Sequence, residues 1–372
     1  MKLLALLACC LAITTSPNAF SAEAPFYVGC YTKPGGSQGI YRYQLDLGTG
    51  AVSGGALVAE AKNPTFLAVH PSGDFLYAVN EVSGGSVAAY AIEADGALKP
   101  LNQQSAKGSG PCHITVDGSG KVAFIANYGS GSIAAYPIAD DGSLKEASGF
   151  VQHAGSSVDA GRQKEPHAHA IYADAADKFV YACDLGLDKV LIYQLGESGA
   201  LKPANPPHAE VPPGSGPRHM AFHPTGGYAY VINEMLNTVS VFKVADESGA
   251  LEPVQTIPTL PVDFTGKNST AEIFAHPSGR FIYGSNRGHD SIAVFAVNEQ
   301  NGQLRLVEHT PTGGKAPRNF AIDPTGMWLI AGNQDTNDFR VFKIDPTSGK
   351  LTATGQPVPL GAPVCFIFPP RT

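Results

Sequence analysis

No stretch of this 372-residue sequence is a basic block, and the formal net charge is −7. Nucleic acid is therefore excluded as the main partner. There is no apolar run long enough to cross a bilayer, which takes about 20 residues in a helix. The run at Leu3–Ile13 stops after eleven. It follows Lys2 and precedes Ala19-Phe20-Ser21 and Ala22-Glu23-Ala24, two small-x-small sites. Residues 1–22 therefore read as a signal peptide, and the mature protein as periplasmic or secreted, off the membrane once cleaved. Cysteine is scarce. Without Cys9 and Cys10 of the leader only Cys30, Cys112, Cys183 and Cys365 remain, with no C-x-x-C spacing. That argues against a disulfide scaffold and against a Cys-type zinc site. Buried free thiols are the expectation. The alternative is a Cys30–Cys365 bridge, in the one place where the two ends of the chain meet. Tryptophan occurs once, against 42 Gly and 29 Pro, a balance of many turns and few long helices.

What is present is a repeat. The segment GPRHMAFHPTGGYAYVINEMLNTVSVFKVADESGAL runs from Gly216 to Leu251, and counterparts begin at Asn63, Gly110, Glu165, Ser269 and Ala316. In each, a short apolar strand meets a turn such as His70-Pro71-Ser72-Gly73. An alternating strand follows and ends at Asn or Asp, and a third strand closes on a Gly-containing turn before Leu. Period-two alternation with Gly-rich punctuation is the signal of strands and hairpins. The turn-end positions Val52, Leu98, Leu144, Leu201, Leu251, Leu304 and Leu351 are separated by 46, 46, 57, 50, 53 and 47 residues. Such spacing predicts an all-β, seven-bladed β-propeller with four antiparallel strands per blade. Length alone would allow two domains, but propellers exceed the usual domain size, so residues 23–372 read as one. FYVGCYT at Phe26–Thr32 matches a second strand with no first strand before it. APVCFIFPP at Ala362–Pro370 matches a first strand with no second after it. Together they complete one blade and close the ring, which leaves no exposed sheet edge there.

In a propeller, the starts of the first strands and the ends of the second strands surround one mouth of the central channel, the default place for a site. The first group holds Pro64-Thr65, Cys112-His113, His167-Ala168-His169, Arg218-His219, Ala271-Glu272 and Arg318-Asn319. The second holds Asn80-Glu81, Asn127-Tyr128, Asp184, Asn233-Glu234, Asn286-Arg287 and Asn333-Gln334. Asn at a strand end commonly caps its own turn, so most of that series serves the fold. His70, His223 and His276, each before Pro, read as turn residues. Arg218, Glu234 and Arg287 break the repeat symmetry and point to site duty.

EPHAHAIYADAADKFVYACDLGLDKVLIY and GPRHMAFHPTGGYAYVINE closely resemble the lactonase family of seven-bladed propellers. That family includes propeller-type 6-phosphogluconolactonases and carboxy-muconate lactonizing enzymes. The resemblance implies a small-molecule lactone substrate, no cofactor, no metal, and a catalytic set of His167, Arg218, Glu234 and Arg287. His169, His219, Asn233, Asn286, Asn127, Asp184 and Arg318 would bind substrate around them. In this reading water attacks the lactone carbonyl, Glu234 or His167 is the base, and the arginines stabilise the oxyanion. An exported chain fits an unphosphorylated aldonolactone better than a cytoplasmic phosphosugar. Three alternatives stand beside it: a binding or scaffold propeller without catalysis, a lactonizing cycloisomerase, and an ion held by His167 and His169, two apart on a strand. Gly35-Gly36-Ser37-Gln38-Gly39 fits G-x-S-x-G but lies between strands, not at a strand-to-helix elbow.

Overall fold

Seven sheets of four antiparallel strands form a ring in the computed structural model, which describes residues 23–370. The expected signal peptide lies outside the described residues. Blades are numbered here in chain order. Blade 1 is the shared one: its innermost strand is Pro363–Ile367, followed outward by Glu23–Cys30, Gly39–Asp46 and Val52–Glu60. The inner strands of blades 2 to 7 are Leu67–Val69, Pro111–Val116, Ala168–Ala173, Pro217–Phe222, Ser269–Ala275 and Pro317–Ile322. The seven-bladed fold and the ring closure are both as the sequence indicates. In the closing pair, Val28 lies opposite Phe366 and Gly29 opposite Cys365.

The core lies between blades. Alternating residues of each second strand face the neighbouring blade on either side. Tyr27, Leu76 and Cys365 share one cluster, and Phe26, Trp328 and Phe339 share the next. Two repeated hydrogen bonds fix the angle between blades. Tyrosine hydroxyls of second strands donate to a glycine carbonyl in the outer turn of the following blade: Tyr27 to Gly96, Tyr77 to Gly142, Tyr181 to Gly249 and Tyr283 to Gly349, at 2.8–3.0 Å. The pre-proline histidines do the same at the other end of the inner strands. Nε2 of His70, His223 and His276 bonds the carbonyls of Gly120, Gly279 and Gly326. They are turn residues, as expected, and inter-blade clips as well.

The expected free thiols are found, and the Cys30–Cys365 bridge is not. The reason is the pleat. Cys365 lies opposite Gly29 and packs toward blade 2 with Leu67 and Leu76, whereas Cys30 packs toward blade 7 with Trp328. The two thiols occupy opposite faces of one sheet.

Candidate active site

The inner strands do not enter the channel smoothly. In blades 3, 4, 5 and 7 the ladder slips by one residue at the top of the strand, leaving Cys112, His169, Arg218 and Arg318 unopposed. Blade 6 slips across Ala271 and Glu272, and blade 1 across Val364. An extra residue in one strand bends it and re-aims the side chain. Here the bulged residues Cys112, Arg218, Glu272, Arg318 and Val364 are turned toward the axis. Thr65, Cys112, Arg218, Arg318 and Val364, with Glu272 and His219 from the next position, line a central cavity of about 10 Å³, room for about one water. A left-handed residue before proline sets up the entry in five blades: Asn63, Gly110, Gly216, Ala316 and Ala362, at φ 41–63°. At Gly216 a Cβ would stand 2.9 Å from Met235, so another residue there would have to displace that side chain.

Above this constriction Glu234 collects three guanidinium groups. Its Oε1 accepts from Arg162 Nη2 at 2.9 Å; its Oε2 accepts from Arg218 Nε and forms an ion pair with Arg287 Nη2, both at 3.1 Å. Burial alone would raise its pKa, but Arg287, Arg218 and Arg162 outweigh burial and hold it at about 2. Glu234 is therefore a fixed anion whose oxygens are both engaged. It serves poorly as a general base and well as the anchor of the arginines.

Each arginine keeps donors in reserve. Arg287 Nη2 also donates to the Thr270 carbonyl at 2.7 Å, while its Nε is buried without a partner. Burial lowers its pKa to about 9, against the pull of Glu234, so it remains a cation at neutral pH. Arg218 is 2 % exposed; its Nη1 donates to the Ala271 carbonyl at 2.8 Å and lies 3.2 Å from His219 Nε2. A guanidinium cannot accept, so His219 Nε2 is the acceptor and its Nδ1–H donates to Glu272 at 2.7 Å. Burial pushes Glu272 up to about 7, yet Ile273 N–H and the Asn319 amide also donate to it, which favours the carboxylate. Arg318 lies 5.5 Å over the Tyr31 ring and has no protein hydrogen-bond acceptor among the described residues.

His167 stands just before the inner strand of blade 4. Its backbone N–H donates to Asp184 Oδ1 at 2.7 Å, and its Nδ1 is 3.0 Å from the Tyr128 carbonyl. A carbonyl only accepts, so the hydrogen is on Nδ1 and the lone pair on Nε2. Nε2 has no protein partner among the described residues. The ring stacks on Tyr128 at 4.5 Å and 17°. The Tyr128 hydroxyl, in turn, accepts from Arg162 Nη2 at 3.1 Å. A half-buried basic nitrogen thus stands beside a cluster of guanidinium donors.

Of the expected residues, Arg218, Glu234 and Arg287 meet at the mouth, His167 is linked to them through Tyr128 and Arg162, and Arg318 lines the central cavity with Arg218. His169 and His219 lie beneath, buried; the His219 ring makes edge-to-face contacts with His113 and His169, each at 5.2 Å between centroids. Burial, then nearby arginine charge, depresses the pKa of both, so they stay neutral. Asn127, Asn233 and Asn286 are fully buried and spent on the fold: their amides bond the Ala106 carbonyl, Thr238 with Ser240, and the Thr259 carbonyl. Asp184 is equally enclosed; it accepts from the His167 and Gly186 amides and from His153 Nδ1. All four side chains are enclosed and bonded to neighbouring loops and strands. The strand alternation that would align His167 with His169 is broken: His167 precedes the strand, and a bulge falls at His169. Among the described residues no group of three or more His, Cys, Asp or Glu side chains is placed to hold a metal.

The residue that the repeat could not reveal is Arg162. It lies on the segment between the outer strand of blade 3 and the inner strand of blade 4, outside any repeated element. The 57-residue gap, the longest of the six, is its one trace in the sequence.

The model of the family described as Lactonase, 7-bladed beta-propeller matches residues 25–368. This chain belongs to that family. It is 39 % identical to a 6-phosphogluconolactonase of Bacillus subtilis (strain 168) over 344 residues, 92 % of this chain and 97 % of that one. It is 34 % identical to a 6-phosphogluconolactonase of Formosa agariphila over 340 residues, 89 % of this chain and 95 % of that one. Among solved structures it is similar to the periplasmic gluconolactonase of Pseudomonas aeruginosa, with a TM-score of 0.89 at 33 % identity, covering 94 % of this chain and 99 % of that one. A surface cavity of about 510 Å³ at the outer rim of blades 6 and 7 shares none of the residues of the mouth.

Proposed function

We propose that this lactonase-family chain hydrolyses an unphosphorylated sugar lactone, an aldonolactone, to the open hydroxy acid. The observation that carries the reading is the unshared Nε2 of His167 beside arginines anchored on one carboxylate. Water bound at Nε2 attacks the lactone carbonyl and gives its proton to His167. The oxyanion takes hydrogen bonds from the reserve donors of Arg287 and Arg218. Such donors are typically worth on the order of 10²–10³ in rate each, and the planar fork keeps its charge throughout. Collapse of the tetrahedral intermediate breaks the ring C–O bond, and the leaving alkoxide recovers the proton from His167. Glu234 orients the arginines and takes no proton. Arg318 is free to bind a hydroxyl or the nascent carboxylate.

Two observations support the substrate class: the leader-like residues 1–22 and the similarity to a periplasmic gluconolactonase. Export to the periplasm or beyond belongs to the same proposal; N-terminal sequencing of the mature protein and cell fractionation test it. The activity is tested by pH-stat hydrolysis of glucono-δ-lactone and 6-phosphogluconolactone, corrected for spontaneous opening. Turnover of the unphosphorylated lactone that is lost in His167→Ala is expected. No turnover above background on either lactone would overturn the reading.

A further inference from the structure

Arg162 comes from outside the blades, and its position is built rather than incidental. The segment carrying it is welded to the propeller below. Gln163 is fully buried, and its amide donates to the Leu185 carbonyl at 2.9 Å and to Asp188 Oδ1 at 2.8 Å. Asp188 also holds the Gly214 and Gly216 amides, so the same carboxylate ties this segment to the loop that leads to Arg218. Asp159 Oδ1 fixes the turn by accepting from the Gly161 and Arg162 amides, both at 2.8 Å. From this base the Arg162 side chain reaches across the top of blade 4 and bridges Tyr128 of blade 3 to Glu234 of blade 5. Both bonds use Nη2. The side chain remains 45 % exposed, and Nε and Nη1 have no protein partner among the described residues.

The bridge spans the interval between His167, stacked on Tyr128, and the arginines gathered on Glu234. A lactone whose carbonyl lies between that base and those donors has to pass beneath Arg162. We propose that Arg162 is a specificity-determining residue of the site, whose free guanidinium N–H groups bind the ring hydroxyls of a polyhydroxylated lactone. The proposal rests on the lactonase reading above and deepens it. A planar fork with two free donors suits vicinal hydroxyl oxygens, which a single ammonium cannot engage in the same way. The rigid base means that little ordering is needed on binding.

The test uses full-length mature protein with Arg162→Ala and Arg162→Lys. With glucono-δ-lactone, the alanine variant should raise KM about tenfold with kcat within about twofold, the loss of one charged hydrogen-bonding group to bound substrate. Lysine again sets a cation facing Glu234 yet should leave KM raised, because an ammonium lacks the planar fork. Melting temperature should stay within about 2 °C, since an exposed side chain is removed. Calorimetric binding of gluconate separates this inference from the lactonase reading. A wild type that binds gluconate without hydrolysing lactones, and loses that binding in Arg162→Ala, overturns the reaction and keeps the residue's role. An active wild type whose KM and gluconate affinity survive Arg162→Ala overturns the role and keeps the reaction. Equal losses of kcat, affinity and melting temperature would make Arg162 structural and overturn the inference too.

Discussion

Replacing Glu234 by Gln removes the anion on which three arginines converge while keeping its shape. The carboxyl is held at about 2 against an ordinary 4.5. At about 1.4 kcal/mol per pH unit that difference corresponds to about 3 kcal/mol of stability. The same figure follows from the cost of breaking a buried ion pair, roughly 3–5 kcal/mol, because Arg218 and Arg287 would be left facing each other. The sign is fixed by the depressed pKa. The stabilisation is complete above pH 4.5 and is lost as pH falls through about 2. Urea unfolding of wild type and Glu234→Gln should differ by about 3 kcal/mol at pH 7, by roughly half of that at pH 3, and hardly at all near pH 2. Turnover should fall by about 10²–10³, because the arginines lose their common anchor. Equal unfolding free energies at pH 7, or a gap that widens in acid, would refute the account of Glu234 as a fixed anion.

His167→Ala should lower kcat about 10²–10⁴-fold and leave KM and unfolding free energy nearly unchanged, measured by pH-stat and urea titration. Deleting residues 363–372 removes the inner strand of blade 1 with buried Val364, Cys365 and Phe366, each of the two hydrophobic side chains contributing about 1.5–3 kcal/mol. Loss of cooperative unfolding by circular dichroism is expected, and an unchanged melting curve would contradict the closure. Burial pushes the Cys30 and Cys112 thiols up to about 12 and raises Cys183 and Cys365 as well. An aromatic disulfide reagent should therefore find almost no reactive thiol in the native mature protein and all four after denaturation without reductant.

Much of the ring was legible because its determinants are local. Pro-x-Gly turns, period-two strands and a Gly before each outer Leu recur along the chain, and blade count follows from their spacing. Arg218, Glu234 and Arg287 were legible for the opposite reason, as charges where the repeat carries something else. Position on the ring says nothing about rotamer: Asn127, Asn233 and Asn286 end their strands at the mouth, but each is buried, with its amide bonded to its own blade or to the segment leaving the preceding one. The bulges carry no residue signature of their own beyond the preceding proline, so the inward turn of Arg318 and the break between His167 and His169 needed coordinates. The full engagement of Glu234 needed coordinates too, because Arg162 and Arg287 reach it from outside its own blade. Arg162 belongs to no repeat, and only its welded base shows why it is where it is.

The first blade also dictates an order of events during synthesis. Glu23–Cys30 is among the earliest segments made, yet the strand that must lie inside it, Pro363–Ile367, is made last. Until then the nascent chain is an open arc with a raw edge at each end, exposed to chaperones, proteases and other copies of itself. Before Pro363–Ile367 is made the ring cannot close, so the first blade stays one strand short while the other six can already form.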